Sequence, residues 1–539
     1  MKRPSQSRNA VSRGVFATAA AMWASLAVLW SSLCPWTPWR IRHGSLLALA
    51  IVLLSAPAFA QPDSTPKALE LQSQAFEAIG NAEYPKAERL LREQLKLDEG
   101  NFVIYYNLAC VRDLQDDGPG AAKFLVDAVE HGFVDLHQLR RDPQLQHARE
   151  QPEIKALIGN WPKVLERQVD ANVRATREFF KDKPKPYLEN RDDKLRLVYL
   201  SAMDVQSTDQ ARADIARLYQ WAIASVFPEL ADDDKSKRDA WTVVVLPTSR
   251  DFLRWATMNF GAAAVNPTLG AGIGGAYMND YKRLVAQDLG ATLRHEYFHV
   301  LHWRDMIRHG QIQAIWVQEG LCSLVEDYEI GAGPADLKPV PSWRTNISKR
   351  LAQDNHLMSI KQLTSIPQDK FTGDRPLSNY AQARTLFLYL YQKGKLKDWY
   401  AAYISTFRSD STGVKAFEQV FEKPIADIDK DYKAWARALP TVAEQIKPGE
   451  ASLGVEVDPG TGDGPTIAEF YSDKHGPPNQ ARLAGLKVGD VITAIDGKPT
   501  RDLNELVRLL GERKVGDQVE VSYRRGQTHN SAKVTLVRR

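Results

Sequence analysis

The spacing of apolar positions changes several times along this chain, and each change predicts a different kind of element. From residue 66 to about 160 apolar side chains recur at helical intervals. Within that region Tyr84-Pro85-Lys86-Ala87-Glu88-Arg89-Leu90-Leu91 returns as Gly118-Pro119-Gly120-Ala121-Ala122-Lys123-Phe124-Leu125, an offset of 34 residues. Tyr106-Asn107-Leu108-Ala109-Cys110 supplies the small and apolar positions of the intervening helix, so paired helices are expected. The pattern then tightens into short apolar runs at 194–200 (KLRLVYL), 241–246 (WTVVVL) and 281–286, read as strands of a small mixed sheet, with a helix over 208–225. Helical spacing resumes over 288–304, around Ile315, Val317, Leu321 and Leu324, and around Leu386, Leu388 and Leu390. After Ser452 the runs are short again, with a helix over 502–510 and a strand over 518–523. The class implied is α+β and multidomain, and 539 residues leave room for several units.

The candidate chemistry sits on the helix over 288–304. His295-Glu296-Tyr297-Phe298-His299 places two imidazoles at i and i+4, on one helical face, where both reach one ion. Glu296 stands beside them, suited to take a proton from water. Glu319, on the next amphipathic helix, supplies a third ligand and leaves a fourth position open, the catalytic rather than the structural pattern for zinc. Asp305 competes for the third place, but no helix breaker follows His299. Six further residues turn a continuing helix by about 600°, roughly 240° net, away from His299. His302 is read as a packed or neighbouring histidine.

These motifs, with Ser378-Asn379-Tyr380-Ala381-Gln382-Ala383-Arg384 downstream, resemble the gluzincin group of the MA peptidase clan, and within it the bacterial peptidase MA-like domains, over about 161–441. The resemblance implies a thermolysin-like catalytic domain with a helical subdomain, His295, His299 and Glu319 as zinc ligands, and Glu296 as general base. It further implies that Tyr380 stabilises the oxyanion; Tyr389 and Tyr391 read as core or surface. Two departures stand out. Thermolysin-like enzymes orient a zinc histidine with an Asp four residues after the ligand Glu, and here Ser323 is there, leaving Glu326 or Asp327 for the task. Gly275-Ala276-Tyr277-Met278-Asn279-Asp280 lacks the glutamate with which related aminopeptidases grip a free amine, and Asp280 is the local acid. The segment 276–286 is expected to be an edge strand that pairs with peptide backbone. The glycine run 270–275 leads into that strand instead of opening a helix, so it is read as a loop over the cleft and not as a dinucleotide fingerprint.

The flanking modules complete the expectation. Residues 61–160 resemble tetratricopeptide repeats. Residues 445–539 resemble a PDZ domain, a small β-sandwich or barrel: Ser452-Leu453-Gly454-Val455 is similar to its carboxylate-binding loop, and 481–500 (ARLAGLKVGDVITAIDGKPT) to its most recognisable stretch. That resemblance implies a groove in which Leu453, Gly454, Val455, Leu503 and Val507 take a protein C-terminus or hydrophobic peptide. The catalytic unit is assigned to 161–444 and a leader to 1–60. The leader's apolar stretch ends in Ala58-Phe59-Ala60, a signal-peptide pattern, and a second apolar run at 15–33 would anchor the chain in a membrane if retained. Export to the periplasm or medium is therefore expected. The leader holds six Lys/Arg and no Asp or Glu, so the formal charge of +4 becomes −2 without those six charges, and nothing favours nucleic acid as a partner. Cys110 and Cys322 read as buried thiols. An exported zinc metallopeptidase acting on peptides or proteins is the leading expectation. A related aminopeptidase and a noncatalytic tetratricopeptide/PDZ adaptor are the alternatives.

Overall fold

A computed structural model describes residues 66–182, 187–231, 239–245, 248–260, 274–331, 333, 336–458, 462–471 and 478–539. The leader, including 15–33, and residues 270–273 of the glycine run lie outside them.

The chain begins with four helices, α1 (Pro66–Gly80), α2 (Tyr84–Leu95), α3 (Phe102–Asp113) and α4 (Gly118–Glu130). Pro85 and Pro119 fall in the first turns of α2 and α4, where a missing N–H costs nothing. The 34-residue offset is thus the offset between two equivalent helix starts. Ala109, Ala121, Leu125 and Ala128 are fully buried, the small residues letting α3 and α4 approach. Helix α5 (Trp161–Phe179) follows.

Next comes a five-stranded mixed sheet of β1 (Leu188–Asp192), β2 (Leu197–Ser201), β3 (Trp241–Val245), β4 (Gly275–Met278) and β5 (Arg283–Ala286), in the order β1-β2-β3-β5-β4. Strands β2, β3 and β5 run parallel, while β1 and β4 are antiparallel to their neighbours. All five residues of β2 and of β3 are buried, because both faces are covered, as parallel strands require. Leu197, Tyr199, Trp241, Val243, Val245 and Leu284 point into the main core with α6 (Val205–Ser225). The alternate residues Val198, Leu200, Val244 and Val285 meet Val169, Val173 and Trp255 on the other side. The expected edge strand over 276–286 is in fact a hairpin: β4 is the edge, a tight turn at Asn279–Tyr281 intervenes, and β5 is internal. Lys282 takes the left-handed conformation there (φ 47°).

Below the sheet lies α7 (Ala291–His309), which carries the motif, then α8 (Ile315–Leu324). Helix α7 runs past Asp305 and stops only at Gly310, in left-handed conformation with φ 63°. A short pair, β6 (Tyr328–Ile330) and β7 (Leu337–Pro339), precedes α9 (Trp343–Gln353) and α10 (Pro376–Gln392). The main core continues through Trp316, Phe387, Trp399 and Phe417 into the helices up to residue 438. Gly320 lets α8 and α10 touch, since a Cβ there would lie 2.6 Å from the Phe387 ring.

The C-terminal β region contains β8 (Ala451–Ser452), β9 (Val455–Asp458), β10 (Thr466–Phe470), β11 (Val491–Ile495), β12 (Lys498–Pro499), α11 (Leu503–Gly511), β13 (Gln518–Arg525), β14 (Thr528–Thr535) and β15 (Val537–Arg538). Its main sheet has the order β14-β13-β11-β10-β9, which puts β9 at an edge. All described residues fall within one compact unit, Ala58–Arg539. Cys110 and Cys322 are free and buried. Among the described residues no helix is long and apolar enough to cross a membrane.

Candidate active site

Three side chains converge at the junction of α7 and α8. His295 Nε2 and His299 Nε2 are 3.2 Å apart, and Glu319 Oε2 lies 3.3 Å from the first and 3.6 Å from the second. Ligands bound tetrahedrally at about 2.0–2.1 Å stand roughly 3.3–3.4 Å from one another, so this donor triangle has the span of a zinc site. A looser group of His295, His299 and Cys322, with donor atoms within 4.8 Å of one another, occupies the same place. The thiol of Cys322 is the poorer donor, because burial and the carboxylates of Glu319, Glu296 and Glu326 push its pKa well up. The donor set of two imidazoles and a carboxylate fits zinc.

The neighbours fix both imidazoles. His295 Nδ1 meets Glu326 Oε1 at 2.9 Å. Arg344 holds that carboxylate with two bonds, Nε to Oε2 at 2.7 Å and Nη2 to Oε1 at 3.1 Å. Of the two acids considered in place of Ser323, Glu326 therefore faces the histidine, whereas Asp327 pairs with Arg384 at 3.3 Å. His299 is held by stacking: the Tyr277 ring of β4 lies 5.3 Å away at 29°, and Tyr277 stacks in turn on Trp241 at 5.1 Å. Burial lowers the affinity of His295 for a proton, but bonds to Glu319 and Glu326 and the charge of Glu296 outweigh it and raise the pKa to about 10. Glu319 is displaced the other way: burial opposes ionisation, yet both imidazoles pull its pKa far below the carboxylate range.

Glu296 is buried, and burial raises its pKa while His295 and His299 work against that rise. Tyr380, half-buried in the second turn of α10, interacts through its hydroxyl with Glu319. Burial and the charges of Glu319 and Glu296 hold it protonated, able to donate. Arg344 lies under the Tyr380 ring at 5.9 Å. His295, Glu296, His299, Glu319 and Tyr380 are thus brought together.

His302 and Asp305 lie farther along α7 and are engaged there by other partners. His302 Nε2 bonds Gln313 Oε1 at 2.7 Å, and the Tyr400 hydroxyl donates to Asp305 at 2.6 Å. Asp280 is half-buried at the turn after β4, where burial and the neighbouring Asp135 raise its pKa and Lys282 opposes them. Sequence reasoning passed over Arg344 and noticed Cys322 only as a thiol. The spacing of three from Glu319, one helical turn, was the signal for the latter.

In the C-terminal region Leu453, Val455 and Val507 are buried, and Leu503 is half-buried on α11. Gly454 adopts φ 76° with Asn479 and Val537 close against it, so a side chain would be strained there. Its N–H donates to Ser452 Oγ at 3.0 Å, and its carbonyl accepts from Asn479 Nδ2 at 2.6 Å and Tyr471 N at 2.9 Å.

Residues 451–536 match the family model described as a PDZ domain, and this part of the chain is one. The comparison with curated proteins found no match. Among solved structures, the chain is similar to a variant of the HtrA-type protease AlgW with decapeptide (24% identity, 17% of this chain and 30% of that chain, TM-score 0.15). It is also similar to the serine endoprotease from Yersinia pestis (19% identity, 22% and 36%, TM-score 0.14). The chain thus spans about a third of the length of these two, and the likeness concerns the PDZ domain. An aminopeptidase N family protein from Idiomarina loihiensis is similar over 65% of this chain and 67% of that one, at 13% identity and TM-score 0.25.

Proposed function

We propose that this protein is a zinc-dependent peptidase that hydrolyses peptide bonds at His295, Glu296, His299 and Glu319. The observation that carries the reading is the triangle of donor atoms at 3.2, 3.3 and 3.6 Å with a buried carboxylate, Glu296, on the same helix. Zinc, when bound, would polarise the scissile carbonyl and acidify water. Glu296 takes the proton of the attacking water and passes it to the leaving amine, a task its raised pKa favours. The Tyr380 hydroxyl donates to the oxygen on which negative charge develops. Strand β4, at the sheet edge beside α7, offers its backbone to an extended substrate. Its distal side is free of other strands among the described residues.

The four helices over 66–130 serve in this reading as tetratricopeptide-like repeats, and the PDZ domain binds protein C-termini or hydrophobic peptides of substrate or partner. Export, taken from the leader, places this work in the periplasm or outside the cell. The test is digestion of a mixed peptide library by the purified protein, with and without chelator and beside Glu296→Gln. Chelator-sensitive cuts lost in the variant are expected. Internal cuts define an endopeptidase, stepwise amino-terminal loss an aminopeptidase, and zinc binding without any cutting would overturn the proposal.

A further inference from the structure

The PDZ domain reaches the metal-binding residues through two side chains. Arg294, the residue before His295, is buried at the interface. One of its N–H groups, on Nη2, bonds Glu505 Oε1 of helix α11 at 2.8 Å, and the same nitrogen donates to the carbonyl of Glu326. The carboxylate of that same Glu326 holds His295 Nδ1. The guanidinium also lies over the Tyr328 ring at 4.9 Å, two residues past Glu326. Helix α11 is pressed against the start of α7: a Cβ on Gly290 would stand 3.0 Å from Arg501 Cβ and 3.3 Å from Asp502 Oδ2. Glu505 is itself fixed, since its N–H donates to Asp502 Oδ1 at 2.9 Å and its Oε2 accepts from Arg501 N at 2.7 Å. Arg501 pairs with Asp214 of α6 across the same interface.

We infer that Glu505, in the PDZ domain, is a positioning residue of the metal site: it fixes Arg294, Arg294 fixes the Glu326 backbone, and Glu326 sets the ring of His295. The inference rests on the function proposed above. It makes helix α11, the wall of the PDZ groove, part of the structure that orders a metal ligand. A buried guanidinium deprived of its only carboxylate partner among the described residues must find another or let water in, and either change disturbs the bond by which it holds the Glu326 backbone. Partners one bond removed from a metal ligand change affinity by about 10–100-fold, so for Glu505, two steps beyond Glu326, the lower end, about tenfold, is expected.

Zinc affinity, measured on the full chain by competition with a chromophoric chelator, reads this without reference to turnover. Glu505→Gln keeps an oxygen for Arg501 N–H but removes the negative charge facing Arg294, and it should weaken zinc binding about tenfold. His529→Ala removes a different contact between the PDZ domain and the rest of the chain, His529 Nε2 to Asp204 Oδ1 at 2.9 Å, and should leave affinity within about twofold. In an Arg294→Gln background Glu505→Gln should add nothing, as expected for residues acting through one another. Equal weakening by Glu505→Gln and His529→Ala would show that docking alone matters and overturn the inference. So would wild-type affinity in Glu505→Gln. Failure of the wild type to bind zinc would instead sink the proposed function, and this inference with it.

Discussion

Gly275 and Glu296 face each other so closely that a Cβ on residue 275 would stand 2.5 Å from Glu296 Oε1 and 2.6 Å from its Cγ. The same Cβ would meet Thr292 Cγ2 at 2.6 Å, so β4 approaches α7 as closely as only a glycine allows. Strand β4 therefore constrains the position of Glu296, the proposed general base. Gly275→Ala should lower kcat by about tenfold to a hundredfold, the cost of a displacement near 1 Å, while bound zinc stays stoichiometric. Steady-state kinetics beside metal analysis would check this. An unchanged kcat would mean that the strand yields and that Glu296 is not held by it.

Glu326 accepts two bonds from Arg344 and holds His295 Nδ1, so removing its charge loosens one imidazole and leaves a half-buried guanidinium without its carboxylate. Burial alone would raise the pKa of Glu326, but Arg344 and His295 hold it far below the carboxylate range. Glu326→Gln should weaken zinc binding by about 10–100-fold. Asp327→Asn, the same change one residue on, should leave affinity near the wild-type value, because Asp327 faces Arg384. Equal losses in both variants would contradict the separate roles assigned to them.

Much of the site was legible because the motif is local. His295 and His299 share a face by helical periodicity, and Glu319 follows from an amphipathic helix a short turn away. The strands found at 197–201 and 241–245 were legible in the largely apolar runs 194–200 and 241–246, since both faces are covered. The hairpin hidden in 276–286 was not, because Asn279-Asp280-Tyr281-Lys282 carries no glycine and the turn depends on Lys282 in left-handed conformation. Arg344 and Glu505 are separated from His295 by 49 and 210 residues. No periodicity links such positions, and only tertiary packing brings them to Glu326 and Arg294. The same holds for the Gly454 amide, whose bond to Ser452 Oγ depends on a side-chain rotamer and not on the sequence pattern.

His302 sits in a buried network, bonded to Gln313 Oε1, while Gln313 Nε2 donates to the Tyr400 hydroxyl and Tyr400 donates to Asp305. Burial lowers its pKa from 6.5 to about 4, with the Gln313 bond and Asp305 acting weakly the other way. Between those pH values the unfolded chain takes a proton that the folded one refuses. Stability should therefore be full above about pH 6.5 and fall by up to about 3 kcal/mol as pH drops toward 4. His302→Gln should flatten that part of the profile in urea unfolding followed from pH 7.5 (about a unit above the midpoint of free imidazole) downward. A variant with the wild-type pH dependence would show that other groups carry the acid sensitivity.

Arg384 is fully buried in α10, and its guanidinium ties together the end of α8 and the start of α9. Its Nη1 donates to the carbonyls of Ser323 at 2.6 Å and Leu324 at 2.8 Å, in the last turn of α8, where carbonyls run short of helical partners. Nε donates to Ser342 Oγ at 2.9 Å, and Nη2 to the Val340 carbonyl at 2.8 Å and Asp327 Oδ2 at 3.3 Å. Burial lowers its pKa and Asp327 resists that fall, yet a guanidinium keeps its proton. Arg384→Met would take a donor from the carbonyls of Ser323, Leu324 and Val340 and from the Ser342 hydroxyl, and would leave the Asp327 carboxylate without its guanidinium, at a cost of about 3–5 kcal/mol. Arg384→Lys should recover only part, since a compact ammonium with three donors cannot span acceptors on two sides of a planar fork. Because the carbonyls belong to the helix that carries Glu319, zinc affinity should fall alongside stability in Arg384→Met. Denaturant unfolding and chelator competition on the two variants would test this together, and a loss below about 1 kcal/mol in Arg384→Met would refute the assignment.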